Sequence, residues 1–252
     1  MSKDLISRLN AGPVICAEGY LFAMERRGYL QAGAFVPEVV LEHPEVVTQL
    51  HREFIRSGSD VVQAFTYYGH REKLKIIGKE DKLEALQKNA LKIAKDAANE
   101  FPDLDLMVAG NVANTCVYDP NDNSTIAECR KMFEEQVAWA KEAGVDFIMA
   151  ETLSWLEEAK IALKVIKEAD MIAVTNITIH QEAKTRDGYT PEDACKCLED
   201  LGADVVGLNC SRGPQMTMKL LPKIREKVSC HVAALPVPYR TTEKEPGFLN
   251  MT

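Results

Sequence analysis

Gly58-Ser59-Asp60-Val61-Val62, Gly144-Val145-Asp146-Phe147-Ile148 and Gly202-Ala203-Asp204-Val205-Val206 share one local grammar. Each places a glycine just after a helix-patterned stretch, and an aspartate then opens an apolar run. The glycine suits the residue past a helix C-terminus, where the backbone turns to positive φ. Copies at the spacing of a strand plus a helix favour a repeated βα barrel over a doubly wound nucleotide fold. No G-x-G-x-x-G follows the first strand, which argues against a dinucleotide site.

Outward from these joints, seven β-rich apolar runs emerge: Val14–Ala17, Val61–Thr66, Leu106–Asn111, Phe147–Glu151, Ile172–Ile177, Val205–Cys210 and Val232–Pro236. Between them lie amphipathic stretches such as Lys82–Glu100, Ile126–Ala143, Leu156–Glu168 and Pro191–Leu201. Strands apolar on both faces, alternating with helices, predict a parallel sheet flanked by helices. The expected fold class is α/β, a (β/α)₈ TIM-type barrel. A closed barrel has eight strands, and Glu243–Thr252 reads as loop. Either an early weak segment supplies the eighth strand, or the barrel is cut short.

Composition narrows the function classes. The chain has 252 residues, 46% hydrophobic and 27% charged, enough for a sizeable core. A net charge of −8 argues against a non-specific nucleic-acid binder. No apolar run approaches the ~20 residues of a membrane helix. Met1-Ser2-Lys3-Asp4-Leu5-Ile6 lacks the apolar core of a secretory signal, so a cytoplasmic location is expected. The seven cysteines are scattered and odd in number, which predicts reduced thiols, most of them core residues.

In such barrels chemistry sits where strands end. The predicted ends carry Glu18-Gly19-Tyr20, Thr66-Tyr67-Tyr68-Gly69-His70, Gly110-Asn111, Glu151-Thr152, Asn176 with His180 further on, Asn209-Cys210-Ser211, and Pro236 with Tyr239. Glu18 and Glu151 can accept hydrogen bonds from a substrate ammonium, and the Gly19 backbone lets a ligand approach closely. Either carboxylate could instead cap nearby backbone amides. Cys210 is a core thiol, a nucleophile or a ligand; alone it cannot hold zinc, which takes about four donors. Cys195 and Cys197 point to different sides of a helix. Cys230 and His231 belong to the opposite end of the barrel, and Cys16 to the core. Phe35, Tyr67, Tyr68, Tyr20 and Tyr239 could ring an onium group through cation–π attraction, or simply pack.

Longer strings add a resemblance. Phe22-Ala23-Met24-Glu25-Arg26-Arg27-Gly28-Tyr29, His43-Pro44-Glu45-Val46-Val47, Gly58 through Tyr68 and Gly207-Leu208-Asn209-Cys210 resemble the zinc-dependent homocysteine S-methyltransferases, the betaine enzymes and their bacterial relatives foremost. The resemblance runs along the whole chain. It implies one homocysteine-binding barrel domain over 1–252, incomplete at its C-terminus. It implies methyl transfer from an onium donor, betaine-like or sulfonium, to homocysteine, giving methionine. Zn²⁺ on three cysteine thiolates would bind the homocysteine sulfur. Cys210 matches the first of those cysteines, and Glu151 the glutamate that holds the homocysteine amino group. Glu18-Gly19 falls near the family's Asp-Gly step. Phe35 stands where the betaine enzymes have Trp, Tyr68 matches a donor-site tyrosine, and Thr152 stands where they have Tyr. Tyr67 and Asn209 join these as expected substrate contacts. The adjacent cysteine pair that completes the zinc site has no counterpart here.

Three readings follow. One is the methyltransferase with homocysteine and a small methyl donor as partners. The second is a non-catalytic barrel that keeps part of the homocysteine site but cannot hold zinc. Its open edges would admit pairing with another copy, a homo-oligomer. The third is a metal-free enzyme using Glu18 and Glu151 as an acid/base pair.

Overall fold

The aspartates of the repeated joints each make the same two-way latch. Asp60 donates its N–H to the Ile15 carbonyl at 2.7 Å, and its carboxylate accepts the Ile15 N–H at 2.8 Å. Asp146 makes the same pair with Val108, at 2.8 and 2.7 Å. Asp204 makes it with Ala173, at 3.1 and 2.8 Å, and also accepts from Lys167 Nζ at 2.8 Å. A carboxylate thus satisfies an N–H at or near the start of one extended segment and fixes where the next strand begins beside it. The glycines before them take the expected positive φ: +98° at Gly58, +70° at Gly144 and +98° at Gly202.

The structure, a computed structural model, describes residues 4–30, 36–180 and 182–247. The chain divides into two units, Met1–Ile148 and Met149–Thr252. The first contains α1 (Leu5–Ala11), α2 (Tyr20–Arg26), α3 (Val39–Glu42), α4 (Pro44–Arg56), β1 (Val61–Gln63), α5 (Arg71–Ile76), α6 (Leu83–Asn99), β2 (Met107–Ala113) and α7 (Ser124–Ala143). The strand β3 (Phe147–Leu153) carries the division. The second unit continues with α8 (Leu156–Glu168), β4 (Ala173–Ile177), α9 (Pro191–Asp200), β5 (Val205–Asn209), α10 (Pro214–Met218), α11 (Leu221–Lys227) and β6 (His231–Leu235).

Strand pairing is parallel in both units. In the first, Val61, Val62 and Gln63 face Met107, Val108 and Ala109. In the second, β4 pairs with β5 from Val174 and Val205 onward, and β5 with β6 from Val205 and His231 onward. The fold class is the one expected: α/β, built from the repeated parallel βα units of a (β/α)₈ TIM-type barrel. Strands β1, β2, β4 and β5 are buried along their whole length, as strands covered on both faces must be. The last strand, β6, is half-exposed.

One predicted strand is corrected. Val14–Ala17 forms only an isolated bridge, Cys16 with Val61, so the described residues hold six strands and a bridge rather than seven strands. Pro13 brings no N–H to a ladder, and Gly19 at φ +84° turns the chain into α2 almost at once. The Asp60 latch holds Ile15 in place of further strand pairing. The second predicted strand also shortens, because the Thr66 N–H folds back to the Ala64 carbonyl at 2.8 Å.

The helices form for ordinary amphipathic reasons. α6 buries Leu83, Leu86, Ala90, Leu91, Ala94 and Ala97, a stripe at helical spacing. α9 starts on Thr190, whose hydroxyl accepts the Asp193 N–H, with Pro191 at its first position. Among the described residues no helix is long and apolar enough to cross a membrane.

Candidate substrate site at the strand ends

In the first unit, Glu18 is half-buried and precedes Gly19, which starts α2. Tyr20, expected as a candidate cage ring, is a core residue at 3% exposure. Its hydroxyl accepts the Gln63 N–H at 3.2 Å and lies 3.0 Å from His51 Nδ1, and its ring packs on Phe54 and Phe65. It ties the start of α2 to the end of β1. Burial pushes the His51 imidazole down to about 3, so it is neutral at ordinary pH.

After β1, the Tyr67 and Tyr68 rings stand 4.2 Å apart, and Lys73 Nζ sits 4.1 Å from the centre of the Tyr68 ring. The chain's own lysine therefore already uses this ring for a cation contact. Phe35 lies outside the described residues. Thr66, at the same strand end, donates its hydroxyl to the Asn111 carbonyl at 2.9 Å. Tyr239, the remaining ring of the expected set, is in the second unit and 37% exposed.

The second unit joins Glu151, Asn209 and Cys210. Asn209 Nδ2 donates to Glu151 Oε2 at 3.2 Å and to Thr152 Oγ1 at 2.8 Å. Its Oδ1 accepts the Thr152 N–H at 2.8 Å and faces the Thr178 hydroxyl at 3.2 Å. Both ends of the amide are engaged by the chain itself. Glu151 is 5% exposed at the end of an apolar strand, so it is a buried acceptor presented by β3 and steadied from β5. The Gly207 that leads this segment has a separate cause: a Cβ there would lie 2.1 Å from the Ala233 carbonyl oxygen of β6.

The strand ends are also where the backbone is strained. Among described residues other than glycine, positive φ occurs at Tyr68, Cys116, Thr152, Asp170, Cys210 and Ser211. All but Asp170 follow or finish a strand. Thr152 at +59° is the least comfortable, since β-branched residues avoid this region. Such strain costs about 1–3 kcal/mol per residue and gathers at functional sites. The Asn209 amide, gripping the Thr152 backbone and hydroxyl together, holds that conformation.

The Cys210 thiol is pushed up to about 11 by burial and by the Glu151 charge, despite an opposing hydrogen bond from the Ser211 backbone. It is protonated at neutral pH. Zinc takes about four donors, commonly thiolates and imidazoles. Among the described residues no three or more His, Cys, Asp or Glu side chains converge to hold a metal. Cys195 is buried in α9, and Cys230 lies at the start of β6, the opposite end of the strands from Cys210. The donors present do not fit the zinc that the resemblance implies. Sequence reasoning passed over Ser154, Thr178 and Arg212, which the structure sets at the same strand ends.

The homocysteine S-methyltransferase family model matches residues 19–246. The chain belongs to the homocysteine S-methyltransferase family. It is 35% identical over 260 aligned positions to betaine–homocysteine S-methyltransferase 1 of Xenopus tropicalis, covering 99% of this chain and 63% of that protein. It is 32% identical to an S-methylmethionine–homocysteine S-methyltransferase of Pongo abelii, covering 99% of this chain and 68% of that one. The chain thus spans 63% of the length of most of the betaine enzymes that it matches. The metallated homocysteine methyltransferase MmuM of Escherichia coli superposes with a TM-score of 0.73 at 18% identity, over 95% of this chain and 96% of that one. That likeness is one of fold.

Proposed function

We propose that this chain, read as a single homocysteine-binding domain over 1–252, acts in methyl transfer to homocysteine. The observation that carries the reading is the Glu151–Asn209–Thr152 cluster in a chain of this family. A buried carboxylate held at the end of β3 suits the ammonium of an amino acid. In the reaction the homocysteine thiol releases its proton to solvent and its sulfur forms a bond to the methyl carbon. The donor's N⁺–CH₃ or S⁺–CH₃ bond breaks and the donor leaves neutral at that atom. Glu151 is the proposed partner of the amino acid's ammonium, and Glu18 and Gly19 of the first unit are each proposed as substrate contacts. Tyr67 and Tyr68, with Phe35, are the proposed donor-side rings, and a cationic donor would share the Tyr68 ring with Lys73 or displace Lys73 from it. The location is proposed to be cytoplasmic.

The donor set favours a second reading. Among the described residues Cys210 has no converging metal donors, so on this reading the chain binds homocysteine without activating its sulfur. One pair of measurements separates the readings. Calorimetry with L-homocysteine tests binding, and Glu151→Gln should weaken it by roughly 10–100-fold, the scale of a lost charge-assisted bond. A methionine assay with zinc, glycine betaine and S-methylmethionine tests turnover. Binding without methionine selects the second reading; absence of binding refutes both.

A further inference from the structure

In the same unit as Glu151, basic and polar groups from the ends of β3, β4 and β5 come together. Ser154 Oγ lies 3.1 Å from His180 Nε2. Arg212 Nη2 donates to the His180 carbonyl at 2.7 Å. The Arg186 N–H donates to the Ser154 carbonyl at 2.8 Å, and its guanidinium stands 5.9 Å from the Trp155 ring centre. These positions all follow strands of the second unit, as Glu151 and Cys210 do.

Arg212 is the unusual member. Its guanidinium belongs to a residue only 4% exposed. Withdrawing a cation from water is costly and is seldom done without purpose. The turn that carries it is strained, with Cys210 at φ +60° and Ser211 at +58° immediately before it. A second observation sits in that turn: Ser211 is 2% exposed and its hydroxyl has no hydrogen-bond partner among the described residues. Burial, then Arg186 and Arg212, push the His180 imidazole down, so the positive character resides in the two guanidiniums.

We propose that Arg212, with His180 and Ser154, is a carboxylate-binding subsite at the ends of β3, β4 and β5. A guanidinium offers a rigid fork of N–H donors that matches a carboxylate's two oxygens. Ser154 and His180 add neutral hydrogen-bonding groups beside it. With Glu151 on the same unit, the strand ends then carry an acceptor for an ammonium and a donor for a carboxylate, the two charges of an amino-acid zwitterion. The carboxylate belongs either to homocysteine itself or to a betaine-like donor. Only that ligand identity rests on the methyl-transfer reading; the subsite stands without it.

The test is calorimetry on the full chain and its Arg212→Met and Arg212→Lys variants with paired probes. L-Homocysteine is compared with its amide, and glycine betaine with choline. A loss of about 10–100-fold in Arg212→Met is expected for the carboxylate member of one pair, and little change for its partner. The pair that responds identifies the source. Arg212→Lys should recover part of the loss, since it keeps the charge without the fork. Acetate titrated into wild-type chain, followed by the ¹⁵Nε signal of Arg212, needs no variant to fold. A saturable shift of that signal with neither homocysteine nor betaine binding would remove the methyl-transfer reading and keep the subsite. Homocysteine binding that responds to Glu151→Gln, with no Arg212 response to any carboxylate, would remove the subsite and keep the reading.

Discussion

Asn209 has its whole side chain turned to the protein: Glu151 and Thr152 take its nitrogen, and the Thr152 N–H and Thr178 hydroxyl face its oxygen. In the proposed site, a residue so engaged would act on a ligand through Glu151. Asn209→Ala should therefore imitate Glu151→Gln in a specific way. It should weaken homocysteine binding, while binding of 4-mercaptobutyrate, which lacks the amino group, changes little. Equal weakening of both ligands would mean that Asn209 touches the ligand elsewhere. The same substitution leaves the Thr152 N–H without its acceptor and the left-handed backbone without its brace, so a stability loss of about 1–3 kcal/mol in urea titration is expected. Part of this was legible in the sequence. Strand ends are where barrel chemistry sits, so Glu151, Asn209 and Cys210 could be picked out by position. Arg212 could not, because its burial comes from the chain folding back: the Arg212 carbonyl accepts the Val237 N–H at 3.0 Å. Thr178 and Ser154 matter through partners on other strands, which a linear string does not display.

At the scale of elements, the Gly–Asp joints were legible because both residues have a local cause, a helix stop and a strand start. The latch itself was not, since Ile15, Val108 and Ala173 are remote from their aspartates. It has a measurable consequence. Asp146→Ala should cost about 1–3 kcal/mol, as the Val108 N–H loses a charged acceptor, and Asp146→Asn should cost less because an amide oxygen still accepts. Urea midpoints compare them; an alanine variant as stable as wild type would mean that the ladder alone sets the register. The elements around β1 also carry a pH dependence. His51 on α4 and His70 before α5 are lowered to about 3 and about 4, chiefly by burial. Unfolded, each protonates near 6.5. Between that pH and the lowered values the unfolded chain binds protons that the folded chain does not, so stability falls as pH falls. The slope is about 1.4 kcal/mol per pH unit for each histidine, beginning near pH 6.5 and ending near 4 for His70 and near 3 for His51. Denaturation at pH 7, 6 and 5 should show it, and His51→Gln should flatten it by one histidine's share. An unchanged slope in that variant would show that His51 is hydrated in solution.

For the molecule as a whole, the issue is whether this chain commands its own metal. The seven cysteines all lie among the described residues, and the residues outside them contain no Cys, His, Asp or Glu. The count of donors is thus complete for these 252 residues, and no three of the described ones converge. The absence of an adjacent cysteine pair was visible in the string. The string also set Cys195 and Cys197 on a helix and Cys230 at the far end from Cys210, and the structure has them on α9 and just before β6. A ligand that binds only the folded state adds about 4 kcal/mol at a thousand times its dissociation constant. A nanomolar zinc site would therefore raise the thermal midpoint by several degrees in micromolar zinc. The expected result is no shift between zinc and chelator, and far less than one zinc per chain after dialysis. A shift with one zinc per chain, lost in Cys210→Ser, would show that donors rearrange around Cys210 in solution and would restore the self-sufficient methyltransferase. Without it, the proposed methyl transfer would need thiol activation from beyond this chain's own described donors, and Glu151 and Arg212 would serve the proposed binding role alone.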